Sequence, residues 1–187
     1  LSALERVQKV GKAGGSVVKW RIYFFFFFCV DSDSFYNKYI HPVHRIENHV
    51  RYDKMICHEI VERVKNNSNS GKVAVAGCSF GGYHAANFAF RHPGYVSHLF
   101  SMSGAFDIKN FMDGFHNDDV FYNSPLDFLY GLDDHELWNM DIVLGTSNWD
   151  ICLDANLKLS KVLSHKGVEH WLDIRQEKKH DWPVWKE

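Results

Sequence analysis

A chain of 187 residues, 45% hydrophobic and 16% aromatic, is long enough to bury a sizeable core and reads as one domain spanning residues 1–187. Its formal net charge of −2, with Lys and Arg scattered, offers no basic field, which argues against nucleic acid or an acidic membrane surface as a partner. The four cysteines (Cys29, Cys57, Cys78, Cys152) form no C-x-x-C pair and are expected to be reduced and buried; with no secretory leader visible, this favours a cytoplasmic location. The most apolar stretch, residues 22–30, is too short to cross a bilayer as a helix.

Ser2-Ala3-Leu4-Glu5 has the form of a capping box, so a short amphipathic helix is expected over residues 3–10. Residues 17–30 read as a strand, first alternating and then continuously apolar through Phe24 to Phe28; a central strand buries both faces in this way. Asp31-Ser32-Asp33-Ser34 follows as a polar loop at the carboxyl end of that strand. Pro42 opens a helix to about Lys65, with Val43, Ile46, Val50, Ile56, Ile60 and Val64 as its core stripe. His41, His44, His49 and His58 are expected on its surface or at its cap, since helical spacing does not gather them with carboxylates as a metal site.

Lys72-Val73-Ala74-Val75-Ala76 has the β-branched, apolar character of a buried parallel strand, and Tyr83 to Phe90 that of a helix. Between them lies Gly77-Cys78-Ser79-Phe80-Gly81-Gly82. A serine on so sharp a strand-to-helix turn is held at positive φ, and the positions two before and two after it are pressed together, which glycine alone fits well. Gly82 is expected to allow close helix packing. The turn lifts the Ser79 hydroxyl clear of the sheet and points the first helical N–H groups at whatever reacts with it, Phe80 N–H foremost, which suits a nucleophile that generates an oxyanion.

Further strands are expected over Tyr95 to Met102, Met140 to Leu144 and Val168 to Ile174, and a helix from Asp154, its N-cap, to Lys166. Residues 105–139 show no clean period but are rich in aromatics. They read as a long loop packed on the core. Strands alternating with helices indicate an α/β parallel sheet.

The segment GCSFGGYHAANFAF resembles the nucleophile elbow of the α/β-hydrolase superfamily, and it is most similar to the esterase branch that includes esterase D, also called S-formylglutathione hydrolase, and small uncharacterised bacterial esterases. The likeness extends from about Cys29 to the end of the chain through CVDSDSFYNK, SMSGAFDIK, MDIVLGTSNWDIC and HDWPVW. It implies an α/β-hydrolase-type, mostly parallel sheet with helices on both faces, here without the first strands and without the early loop that supplies one oxyanion donor, and it would make residues 105–139 a cap over the site. Gly14-Gly15 could imitate that loop only after a rearrangement of the chain.

A serine hydroxyl needs a base, and the imidazole needs a carboxylate to fix its tautomer. The resemblance puts the base at His180, after the last strand, and the acid at Asp150, after Gly145-Thr146-Ser147-Asn148-Trp149; Asp107 is the alternative acid. Trp149, Trp182 and Trp185 flank acid and base, and either line an acyl or alcohol pocket or pack the loops. The implied activity is that of a serine esterase or thioesterase acting on a small ester or thioester through an acyl-enzyme, with no metal and no organic cofactor. Two other readings stand beside it: acyl transfer to an alcohol, and a non-catalytic binding module of the same fold. GCSFGG departs from the GHSMGG expected in S-formylglutathione hydrolases, so glutathione specificity does not carry over. Homo-oligomerisation is left open by the sequence.

Overall fold

In the computed structural model the described residues are 37–68, 71–133, 135–181 and 185. The expected helix at 3–10, the strand at 17–30 with its phenylalanine run, the loop at 31–34, Gly14-Gly15, and Trp182 with Pro183 lie outside them.

One long helical segment leads into the sheet. It comprises α1 (Pro42–Met55), a π-helical turn (Ile56–Val61) and α2 (Glu62–Ser68). Pro42 occupies the first turn, and the His41 ring accepts from Val43 N–H, capping the segment. The buried face differs from the expected stripe: it is Arg45, Ile46, His49, Asp53, Cys57 and Val61. A repeat of four outruns the 3.6-residue turn of an α-helix, and the wider π turn lets Cys57 and Val61 stay on the core side. The hydrophobic pattern misleads because three of these positions are polar and each is buried with hydrogen-bond partners. Arg45 donates to the carbonyls of Ile40 (2.7 Å) and Phe111 (2.8 Å) and to Asp113 Oδ2 (2.8 Å). His49, expected at the surface, is 1% exposed.

Four strands follow: β1 (Val73–Cys78), β2 (Val96–Met102), β3 (Asp141–Trp149) and β4 (Trp171–Lys179). They form one sheet in the order β1-β2-β3-β4, every pair parallel. Helix α3 (Phe80–Arg91) joins β1 to β2, and α6 (Leu153–His165) joins β3 to β4, giving the helix-flanked parallel sheet that the sequence implies. Val75, Leu99 and Ile142 stand in register across β1, β2 and β3 and face the core with Leu144, Ala86, Phe90 and Leu163. Ala76, Phe100, Val143 and Trp171 are in register on the opposite face, where Phe100 and Trp171 are exposed.

Several expected boundaries move, and β4 runs on to Lys179 where the expected strand stops at Ile174. β3 runs on through Gly145-Thr146-Ser147-Asn148, whose turn-forming character is overridden by pairing with β4, with a register shift between Ser147 and Trp149. β4 starts at Trp171 rather than Val168, because His170 turns away to pair with Ser160 Oγ (2.7 Å).

Residues 105–139 fold into short pieces, including α4 (Asp118–Phe121) and α5 (Pro125–Phe128). Phe106, Phe128, Leu129 and Leu137 enter the main core. Ile108, Met112 and Val120 form a second cluster with Ile46, Phe80 and Tyr83, against which Phe111 and Phe115 pack. Among the described residues no helix is long and apolar enough to cross a membrane.

Candidate functional site at the carboxyl ends of the strands

The strand register itself assembles the site. Cys78 pairs with Met102, and Trp149 pairs with Lys179. The first residue beyond each strand is therefore Ser79, Ser103, Asp150 and His180, four polar side chains along one edge of the sheet. This is the edge at which open α/β sheets bind ligands. Ser79 N–H donates to Met102 O (2.7 Å) and Ser103 N–H to Gly145 O (2.7 Å), so the ladder extends one residue past β1 and β2 and anchors both serines.

Ser79 has φ 56°, the left-handed region expected of the turn. The two glycines around it play unequal parts. A Cβ on Gly77 would lie 2.0 Å from Gly81 O, so the backbone crosses where only hydrogen fits. A Cβ on Gly81 would meet nothing within 4 Å, so the expected steric demand falls on Gly77 alone. Gly82 is needed for packing, as expected: a Cβ there would meet Met102 O and Ser101 Oγ at 2.9 Å. Phe80 is the first residue of α3, with Ser79 as N-cap.

All four side chains form a hydrogen-bonded chain, running from Ser79 through His180 and Asp150 to Ser103. His180 Nε2 lies 2.8 Å from Ser79 Oγ, and His180 Nδ1 lies 2.9 Å from Asp150 Oδ1. Asp150 is buried and is surrounded by donors: Cys152 N–H donates to Oδ1 (2.7 Å) and Ser103 O–H to Oδ2 (2.5 Å). With Nδ1–H directed at Asp150, the Nε2 lone pair faces the Ser79 hydroxyl, which is the arrangement a general base needs.

Asp107, the alternative acid, is elsewhere. Its Oδ1 accepts from Lys109 N–H (2.9 Å), and Lys109 Nζ lies 3.4 Å from its Oδ2. Asp154 is not the cap of α6; Cys152 holds that position, and Asp154 pairs with Lys158 one turn on (2.6 Å). Trp149 ends β3 and is 56% exposed. Trp185 stands edge-on to His180, ring centroids 5.0 Å apart, and its Nε1–H donates to Ser103 Oγ (2.9 Å).

Ser103 is the residue of this polar edge that the sequence reading misses. It is fully buried, adopts φ 53° and links Trp185 to Asp150. The motif SMSGAFDIK contains it, yet nothing in that pattern signals a hydrogen bond to a carboxylate 47 positions away. Asn156, also buried, donates to Gly104 O (3.2 Å) and Cys152 O (2.8 Å), tying the loops after β2 and β3 together. Ser147 Oγ donates to Lys178 O and holds the end of β4 that presents His180.

Of the three cysteines described, only Cys57 is buried; Cys78 and Cys152 are partly exposed. Burial, and then the charge of Asp150, push the Cys152 thiol up to about 11, so at neutral pH it is protonated and a poor rival to Ser79 as nucleophile. Clefts do not by themselves locate the site. One, about 810 Å³, lies at the amino ends of β3 and β4 among Trp138, Asp141 and His170. A smaller one, about 370 Å³, reaches Trp185 along Met102, Gly145 and Arg175. The carboxyl edge carries the convergent polar groups, and those decide the assignment.

A parallel sheet with a serine held at positive φ between strand and helix is the architecture of the α/β hydrolases. The chain belongs to the alpha/beta hydrolase fold family, whose model matches residues 44–182. No curated protein matches the sequence. Among solved structures, a ferulic acid esterase is 22% identical, with TM-score 0.60 over 72% of this chain and 56% of that one. The fluorophosphonate-binding serine hydrolase FphF of Staphylococcus aureus is 18% identical, with TM-score 0.58 over 83% and 74%. A thermostable esterase of Pseudomonas putida is 18% identical, with TM-score 0.56 over 79% and 53%. These likenesses are in fold, and the chain spans little more than half the length of the first and third.

Proposed function

We propose that this chain is a serine hydrolase that cleaves a carboxylic ester or thioester through an acyl-enzyme. The observation that carries the proposal is the hydrogen-bonded sequence from Ser79 Oγ to His180 to Asp150. Ser79 Oγ attacks the substrate carbonyl as its proton passes to His180 Nε2, and the imidazolium formed is stabilised by the Asp150 carboxylate. The oxyanion of the tetrahedral intermediate accepts from Phe80 N–H at the start of α3. Collapse expels the alcohol or thiol, which takes the proton from His180. Water then repeats the sequence on the acyl-enzyme and releases the acid, so the reaction balances with water as its only co-reactant.

Trp149, exposed beside the acid, is assigned to the substrate pocket. Residues 105–139 are assigned to the wall on the elbow side, where the Phe111 ring stands edge-on to Phe80 at 5.2 Å. A small ester or thioester is the substrate class.

The test is hydrolysis of p-nitrophenyl esters of rising acyl length, with Ser79→Ala as control. The proposal expects turnover of short esters, lost in the variant. Equal rates in both chains overturn it, and ligand binding without turnover would favour a binding module of the same fold.

A further inference from the structure

Cys152 has a side chain that the proposed chemistry does not use. Its sulfur, a carboxylate oxygen of Asp150 and a ring nitrogen of His180 all lie within 4.8 Å of one another. Thiolate, imidazole and carboxylate are the donor types that zinc takes, at about 2.3, 2.0–2.1 and 2.0–2.2 Å. Donors around a tetrahedral ion of those bond lengths lie roughly 3.3–3.8 Å apart, so closing on an ion asks for about an ångström of side-chain movement. The three donors lie at element ends: Asp150 and His180 each follow the end of a strand, and Cys152 is the N-cap of α6.

We propose that Asp150, Cys152 and His180 form an inhibitory site for a borderline-soft divalent cation such as Zn²⁺, with water in the fourth position. The His180 nitrogen that faces Asp150 is Nδ1. An ion bound there takes the place of the Nδ1 proton, which in neutral imidazole moves to Nε2. The thiol loses its own proton to solvent, so binding releases one proton overall. Nε2 then presents an N–H to Ser79 Oγ instead of a lone pair, and the nucleophile has no base. The metal thus acts by fixing the wrong tautomer, with no need to block access. The inhibition rests on the serine-hydrolase reading; the metal binding does not.

Co²⁺ titration of the full chain tests the binding directly. Thiolate-to-cobalt charge-transfer absorption is expected in the wild type, lost in Cys152→Ser and in Cys152→Ala, and retained in Cys57→Ser and Cys78→Ser. Circular dichroism of each variant checks the fold. In parallel, Zn²⁺ is expected to inhibit p-nitrophenyl acetate hydrolysis reversibly to EDTA, with the half-inhibiting concentration at least tenfold higher in Cys152→Ser. Absent bands, or bands that persist without the Cys152 thiol, overturn the site. Cobalt bound through Cys152 with unaltered zinc inhibition in Cys152→Ser overturns the inhibitory role. Cobalt bound through Cys152 in a chain that hydrolyses no ester upholds the site, and removes the inhibitory role together with the hydrolase reading.

Discussion

Ser103 donates its hydroxyl proton to Asp150 Oδ2 at 2.5 Å, from a backbone held at φ 53°, and in turn accepts from Trp185 Nε1–H. The carboxylate that is hydrogen-bonded to His180 is therefore itself held by a residue on the neighbouring strand end. Removing the hydroxyl leaves one buried carboxylate oxygen short of its donor, at a cost of about 1–3 kcal/mol. Ser103→Ala is expected to lower kcat by roughly ten- to a hundredfold with little change in KM. Ser103→Gly should lose as much activity and yet be more stable than Ser103→Ala by about 1 kcal/mol, because glycine relieves the left-handed backbone. Denaturant unfolding of the two variants, beside their kinetics, separates the hydroxyl from the backbone.

The Gly77 and Gly81 positions make opposite predictions despite their symmetric place around Ser79. A methyl group on Gly77 would collide with Gly81 O at 2.0 Å, against backbone that cannot swing aside. Gly77→Ala is expected to destabilise by more than about 3 kcal/mol or to prevent folding. Gly81 lies in α3 with open space around it, and its φ is not among the positive ones. Gly81→Ala should be neutral or stabilising by up to about 1 kcal/mol, from the gain in helix propensity. Urea midpoints of the two variants decide the matter.

How much of this was legible in the sequence follows from which signals survive without partners. The Ser79 turn was legible because backbone crossing leaves a glycine signature. Asp150 and His180 could be named because the resemblance to α/β hydrolases places acid and base after the last two strands. Their convergence is a matter of register: with Trp149 opposite Lys179, the next residues are neighbours. Ser103, Arg45 and His49 were not legible, since each is a polar residue buried by specific hydrogen bonds. Hydrophobic periodicity assigns such residues to solvent, and it displaced the core face of the long helical segment for that reason. Asp154 looked like a helix cap, but α6 begins one residue earlier, and the carboxylate that binds a backbone N–H at that end is Asp150.

The buried polar cluster behind α3 carries a pH prediction. His49 Nε2 lies 3.2 Å from both Tyr83 Oη and Asn87 Nδ2, and Tyr83 O–H donates to Asn123 O (2.8 Å). Burial, then the nearby His84, lower the His49 pKa from its usual 6.5 to about 3. The unfolded chain therefore binds one more proton than the folded one between those values, so stability is full above about pH 7 and falls as the pH drops. At pH 5 the loss from this group is about 2 kcal/mol relative to pH 7. His49→Gln should flatten that dependence, measured by urea unfolding at pH 7 and pH 5; an equal loss in both chains would contradict it.

Asp150→Asn preserves size but removes the charge that holds Nδ1–H in place. Its turnover is expected to fall roughly 10³- to 10⁴-fold, the consequence of the wrong imidazole tautomer. Circular dichroism should show folded protein and a pH–rate profile a weak base-dependent limb, and a loss of less than tenfold would show that Asp150 does not orient His180.

The central claim is that His180 activates Ser79, and covalent labelling with a fluorophosphonate reads it most directly, with the modified peptide identified by mass spectrometry. The account predicts labelling at Ser79 in the wild type, none in Ser79→Ala, and a rate at least a thousandfold lower in His180→Ala, by roughly the factor that removal of a triad member costs. Equal labelling of the wild type and Ser79→Ala, or unchanged labelling without the imidazole, would contradict it.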